Sequence, residues 1–406
     1  MAGERRLWRD ASCGPALQPL RPNGSGCAKV DGRGGSLSDS APRTHGAEMV
    51  RINIEPMWHF TTDRSPHSMR VLLSFLSEIQ VSGTLATAAA RTGMSYRHAW
   101  NLVDKWSSFF GEPLVERQRG KGTRLTPLGD KLVWAEQHLK ARLGPQLHNI
   151  AQELEMELAS LLPHMPPSIR IHASHGFAIA KLGEFLLREP DIGIDLRYMT
   201  NQASLDSLMA QECELAAIHL PHGVLRRRAA AAFKAWLDPD VFRVIGFVTR
   251  EMGLMVKRGN PLGITGLDAL RDPRITFVNR DHGSGTRALF EHLLAQEKID
   301  GRAITGYQNV ELTHAAVAAH VARGMADAGF GVEAAAVQFD LDFVHIITED
   351  YFFICREPVL RSDAIKRLVG IISGPEYRRA VGALPGYAVS DAGVVKTVKS
   401  FFSSSS

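Results

Sequence analysis

The run Asn279–Arg287, NRDHGSGTR, gathers groups suited to holding an anion. It lies between an apolar segment and an amphipathic one. Gly283, Ser284, Gly285 and Thr286 are therefore expected to offer backbone N–H groups and hydroxyls at the start of a helix, where peptide dipoles favour negative charge. Arg280 and Arg287 add positive charge. The spacing is neither a Walker loop, since GK[ST] is absent, nor a full GxGxxG. A helix cap on a tight turn uses the same residue types. Other junctions of this kind supply Ser174 and His175, the stretch from Thr200 to Ser204, His219, Thr313 with His314, and Asp327. There is no GxSxG, HExxH or kinase set, and no nucleophile–base pair follows from spacing, so no catalytic residue is expected. Cys13, Cys27, Cys213 and Cys355 lie far apart, without metal-ligand spacing. That argues against a zinc finger or a disulfide framework and fits a reducing cytoplasm.

A second constellation is basic. Glu116–Thr126, ERQRGKGTRLT, places Arg117, Arg119, Lys121 and Arg124 on a glycine-containing hairpin, the composition of a wing that tracks phosphates. The elements before it explain the arrangement. Leu72, Leu73, Phe75, Leu76 and Ile79 recur at helical spacing and Gly83 stops that helix. A second helix starts near Thr84 and carries Ala88 and Ala89 to Arg91. After Gly93, Ser95 caps a third helix that buries Ala99, Val103, Trp106 and Phe110. Small alanines at a steep crossing, joined by a turn that needs positive φ, describe a helix-turn-helix. Residues 65–126 are read as this unit.

Thr126-Pro127 opens a long helix over 127–163, expected to break or bend near Gly144-Pro145. Leu128, Leu132, Ala135, Leu139, Leu143, Leu147, Ile150, Leu154 and Leu158 form one stripe, suited either to dimerisation or to packing on its own domain. From 167 to 400 strands and helices alternate, predicting an α/β body with a mainly parallel sheet and two lobes around a cleft. The fold class is thus α+β multidomain. Residues 1–48 and the terminal serines read as extensions, with Met49 the expected natural start. The formal charge of +4 divides into +2 over 1–50, +5 over 51–150 and −3 over 151–406. A basic block ahead of an acidic body suggests a nucleic-acid module joined to something else. No apolar run approaches the ~18 residues of a membrane span.

The stretches GTLATAAARTGMSYRHAWNLVDKW (Gly83–Trp106) and PLVERQRGKGTRLTPLGDKL (Pro113–Leu132) resemble the winged helix-turn-helix of the ModE family, itself similar to the LysR-type DNA-binding domain. The resemblance implies that Tyr96, Arg97, Trp100 and Asn101 face bases or phosphates, with Arg97 suited to guanine and Asn101 to adenine. Trp100 has a core reading beside it. FVNRDHGSGTRALFEHLL, ELTHAAVAAHVARGMADAGFGVEAAA and LDFVHIITEDYFFICR resemble the periplasmic-binding-protein-like domain fused to such modules, with ADAGFG marking the strand where the hinge returns to the first lobe. Its implied ligand is a small anion: molybdate, tungstate or a pterin-type effector. No tightly bound cofactor and no metal are expected. The β-barrel oxyanion domains of a conventional ModE have no counterpart here. The reading is a cytoplasmic homodimeric or homotetrameric transcription regulator that binds double-stranded DNA. The alternative is a metal-oxyanion carrier, or a molybdenum-cofactor-handling enzyme, whose N-terminal module serves dimerisation.

Overall fold

Helix-stopping and helix-starting residues set the N-terminal elements of the computed structural model. It describes residues 51–61, 66–118, 122–159, 168–189, 192–227 and 236–403, with 161 and 231 as isolated positions. The expected extension 1–48, the terminal serines 404–406, Arg119 and Lys121 lie outside them. All elements below belong to the unit Ala47–Ser406.

A short hairpin, β1 (His59–Thr61) with β2 (Pro66–Ser68), precedes α1 (Arg70–Ser82), α2 (Leu85–Arg91) and α3 (Tyr96–Phe110). Gly83 ends α1 in the left-handed region (φ 70°), a conformation that is cheap only for glycine. Thr84 and Ser95 accept from the N–H groups of Thr87 and His98, capping α2 and α3. Each such cap is worth ~1 kcal/mol. The helices bury Leu72, Phe75, Leu76, Ala88, Ala99, Val103 and Trp106 in one core. Phe110 is half-buried at its margin. The antiparallel hairpin β3 (Val115–Gln118) and β4 (Gly122–Leu125) follows.

Helix α4 (Pro127–Ala159) runs without interruption through Pro145, near which a break or bend was expected. A proline there leaves the carbonyl four residues back without its donor. That carbonyl, on Ala141, accepts instead from the Thr313 hydroxyl at 2.8 Å. An outside donor thus lets the helix tolerate its proline. Ile150, Leu154 and Leu158 on the expected stripe are exposed (47, 42 and 43%).

The body is one large mixed sheet in the order β10-β9-β11-β8-β12-β7-β5-β6. Its first lobe holds β5 (Ser168–Ala173), α5 (Phe177–Leu186), β6 (Gly193–Tyr198), α6 (Asn201–Met209) and β7 (Leu215–Pro221). The long strand β8 (Phe242–Val256) crosses to the second lobe. There β9 (Phe277–Arg280), α7 (Gly285–Gln296), β10 (Val310–Glu311), α8 (His314–Ala322), β11 (Ala328–Val332) and α9 (Glu333–Gln338) follow. Strand β12 (Asp342–Arg356) carries the chain back to α10 (Asp363–Ser373), α11 (Pro375–Gly382), β13 (Tyr387–Ala388), β14 (Val395–Thr397) and α12 (Val398–Ser403).

Two expectations change here. The sheet is parallel only on its flanks, β5 with β6 and β7, and β9 with β10 and β11. Its centre is antiparallel, because β8 and β12 run past each other from lobe to lobe. ADAGFG enters β11, which pairs with β9 and β8 inside the second lobe; the chain returns through β12. Gly253 on β8 stands so close to β12 that an added Cβ would overlap the Val344 carbonyl. Among the described residues no helix is long and apolar enough to cross a membrane.

Candidate functional site

Four strand-to-helix junctions converge on one cavity of about 210 Å³. β5 delivers Ser174 and His175. β6 leads to Thr200, whose hydroxyl caps α6 by accepting from Ala203. β9 delivers Arg280 and then Ser284, which caps α7 by accepting from the Thr286 N–H. β10 leads to His314. These ends meet because parallel flanking strands point the same way and their helices start there. Gly283 and Gly285 lie against Thr200 and Asn201 of the other lobe; a Cβ on Gly285 would sit 3.3 Å from Asn201 Nδ2. The far wall comes from α4, through Arg142, Gln146 and Asn149.

The charge in this cavity is poorly balanced. Arg280 donates from Nη2 to the Leu312 carbonyl at 2.9 Å, yet its Nε and Nη1 are closed off without a hydrogen-bond partner. Burial, and then the neighbouring Arg250, pull its guanidinium down to about 9, against a smaller opposing pull from Asp281. Arg250 itself is matched: both it and Glu349 are buried, and its Nε and Nη2 donate to one carboxylate oxygen at 3.0 and 2.8 Å. Three imidazoles line the cavity, in surroundings that disfavour their charged form. Burial first, then Arg280 and His148, lowers His175 to about 4. Burial and the two arginines drive His219 and His314 well below the ordinary imidazole range. His219 stacks on Tyr351 at 3.8 Å, and its Nδ1 lies 3.3 Å from Asn201 Oδ1. That oxygen also accepts from the Ser174 hydroxyl at 3.2 Å. Nε2 of His219 and Nδ1 of His314 are buried without partners. The cavity thus offers the spare N–H donors of Arg280, an arginine charge without a matching carboxylate bond, and a helix start. An anion satisfies all three.

Ser174, His175, His219, Arg280, Ser284, Gly285, Thr286 and His314 are brought together here, as the sequence reading grouped them. Four others do not line this cavity. Ser204 is buried one turn into α6. Arg287 turns away, donating to Glu291 at 2.9 Å and to the Arg280 carbonyl at 3.2 Å, with its guanidinium over Tyr307. The Thr313 hydroxyl is occupied by Ala141 and by the α8 cap. Asp327 precedes β11, at the opposite strand end, and accepts from Thr276. Sequence reasoning missed Arg250 with Glu349, and all of the α4 wall. The signal for Arg250 was a charged residue inside a strand whose neighbours are apolar, since a buried charge must be paired. Nothing local marked Arg142 or Asn149.

A second surface lies on α3 and the β3–β4 hairpin. Tyr96, Arg97 and Asn101 are exposed, as is Arg124 on β4. Trp100 is half-buried against the core, and its Nε1 donates to the Tyr96 hydroxyl at 3.0 Å. Arg117 donates to the same hydroxyl at 2.8 Å and lies 4.5 Å over the Trp100 ring. Helix and hairpin are thereby tied into one basic-aromatic face.

Residues 183–373 match the PBP superfamily domain. The uncharacterised protein YvgK of Bacillus subtilis is 29% identical over 199 residues, which are 49% of this chain and 64% of YvgK. An uncharacterised Clostridium pasteurianum protein, encoded in the 5′ region of a 2Fe-2S ferredoxin gene, is 32% identical over 100 residues, 24% of this chain and 88% of that protein. The molybdenum-pterin-binding protein MopB of Rhodobacter capsulatus is 28% identical over 110 residues, 26% of this chain and 40% of MopB. The chain thus spans less than two thirds of the length of YvgK and of MopB. Among solved structures, that of CbnR, a LysR family transcriptional regulator, aligns with 74% of this chain and 98% of its own at 17% identity and a TM-score of 0.34.

Proposed function

We propose, for a chain that belongs to one family with the Clostridium pasteurianum protein and carries a PBP superfamily domain, the function of a DNA-binding transcription regulator governed by a small anion. The observation that carries the anion reading is Arg280, a guanidinium with two buried N–H groups and no bonded carboxylate, facing the junctions of both lobes. An anion bridging Arg280, Ser284 and the imidazoles would hold the lobes together around β8 and β12. The name of MopB supports molybdate, tungstate or a molybdenum-pterin compound as the anion class.

For the N-terminal unit the proposal is a winged helix-turn-helix. In it Ser95 caps the recognition helix, Tyr96, Arg97, Trp100 and Asn101 read the major groove, and Arg117, Arg119, Lys121 and Arg124 neutralise phosphates. The exposed Ile150, Leu154 and Leu158 support pairing of two copies along α4. The proposed setting is the cytoplasm.

The test is a thermal-shift and calorimetric titration of the full chain with molybdate, tungstate, sulfate, phosphate, small carboxylates and pterins. At least one anion should bind with a stoichiometry of one per chain and alter mobility of a DNA complex. Arg280→Met should weaken its binding at least tenfold, about 1.4 kcal/mol. Equal binding by the variant, or no binding across the panel, would defeat the reading.

A further inference from the structure

His138 on α4, Glu311 on β10 and His320 on α8 bring three ligand-type atoms within 4.8 Å of one another. Nε2 of His138 lies 2.9 Å, and Nδ1 of His320 3.3 Å, from the same oxygen, Oε1 of Glu311. The carboxylate is buried (3% exposed), and its second oxygen, Oε2, is closed off with no hydrogen-bond partner. The nearest cation, Nε of the half-exposed Arg142, stands 3.9 Å away, beyond hydrogen-bond reach. Trp134 stacks on the His138 ring at 5.1 Å and 6°, which fixes its plane.

The two imidazoles share one carboxylate oxygen and leave Oε2 bare, and an unsatisfied buried carboxylate oxygen is costly. A cation among the three groups neutralises the carboxylate and, bound through both of its oxygens, reaches Oε2 as well. Ligands at ~2.0–2.2 Å from Zn²⁺ in a tetrahedron stand roughly 3.3–3.5 Å apart. The observed 2.9 and 3.3 Å approach that spacing within a few tenths of an ångström. We propose that His138, Glu311 and His320 form a binding site for a divalent transition cation, Zn²⁺ foremost, that clips α4 onto the second lobe. Two imidazoles and one carboxylate make a borderline donor set; Mg²⁺ and Ca²⁺ prefer oxygen alone. Water completes the coordination at the half-buried histidine edges. His138 stands 173 residues from Glu311, whereas Glu311 and His320 are 9 apart on consecutive elements, so the cation joins α4 to a part of the second lobe that the chain does not connect to it locally. It therefore holds the helix that leads to the N-terminal unit in place.

The experiment uses the full chain, stripped with a chelator, dialysed and titrated with Co²⁺ and then Zn²⁺. One equivalent of Co²⁺ should give visible ligand-field bands and quench fluorescence from Trp134, and Zn²⁺ should displace it. His138→Gln and His320→Gln should each lower Zn²⁺ affinity at least tenfold, while His292→Gln, on the exposed face of α7, leaves it unchanged. Far-ultraviolet circular dichroism without metal checks that the variants fold. Wild-type protein that takes up no stoichiometric Co²⁺ or Zn²⁺ overturns the proposal. So does unchanged affinity in both variants.

Discussion

Arg280 is the side chain on which the proposed anion site turns. Its strand, β9, carries it to the cavity, and burial removes its water without supplying a carboxylate bond. The motif NRDHGSGTR was legible in sequence because glycine, hydroxyl and arginine cluster where a strand gives way to a helix. The role of Arg287 was not: two residues into α7, its direction depends on helical rotation and on Glu291 and Tyr307, which only the fold brings near. His175 yields a pH prediction. Its folded pKa, about 4, lies below the ordinary 6.5, so between these values the unfolded chain binds more protons. Stability should therefore fall as pH drops through that window. Calorimetric melts from pH 7 to 4.5 should show a gentler decline for His175→Asn than for wild type; identical slopes would contradict the assignment. At the proposed DNA face, Arg97→Ala should cost ~1–3 kcal/mol of specific binding if its contact is bidentate. Gel shifts on cognate and scrambled DNA would read this, and equal retention on cognate DNA would remove Arg97 from base reading.

Among the elements, α1, α2 and α3 were nearly complete in the sequence, since Gly83, Thr84, Gly93 and Ser95 act over one turn and need no distant partner. The continuity of α4 was not legible, because what repairs its proline lies on Thr313, far along the chain. The full length of β8 was not legible either. Thr249-Arg250-Glu251 interrupts its apolar pattern, and the ion pair that makes Arg250 acceptable there comes from β12. Thr313→Val separates the structural role from a ligand role. It should lower stability by ~1–3 kcal/mol, because the Ala141 carbonyl and the α8 cap both lose a partner. Urea unfolding should show that loss while anion affinity stays unchanged. A weakened anion affinity with normal stability would restore Thr313 to the binding site.

At the scale of the whole molecule, the +4 charge is an average over a basic N-terminal block and an acidic body. The alternation of strands and helices sufficed to anticipate two lobes. It did not reveal the antiparallel crossing of β8 and β12, since strand direction is set by partners and not by periodicity. The exposed stripe on α4 bears on assembly: Leu154→Glu with Leu158→Glu should convert a dimer to monomers in sedimentation velocity, with the secondary structure intact. A monomeric wild type, or a double variant that stays dimeric, would move the interface elsewhere.

Helix α4 also hydrogen-bonds along the open side of β6. Asn149 both donates to and accepts from the Tyr198 backbone at 2.8 Å, and His148 and Gln152 meet that of Leu196. The same helix walls the cavity that holds Arg280. The α/β body is therefore not self-sufficient at its apparent boundary. A fragment beginning at Ser168 would carry a bare strand edge, prone to recruit another chain, and a cavity with one side missing. What passes for a connector is thus a wall of the body it leads to, and under the proposed function the unit that recognises the anion begins near Pro127.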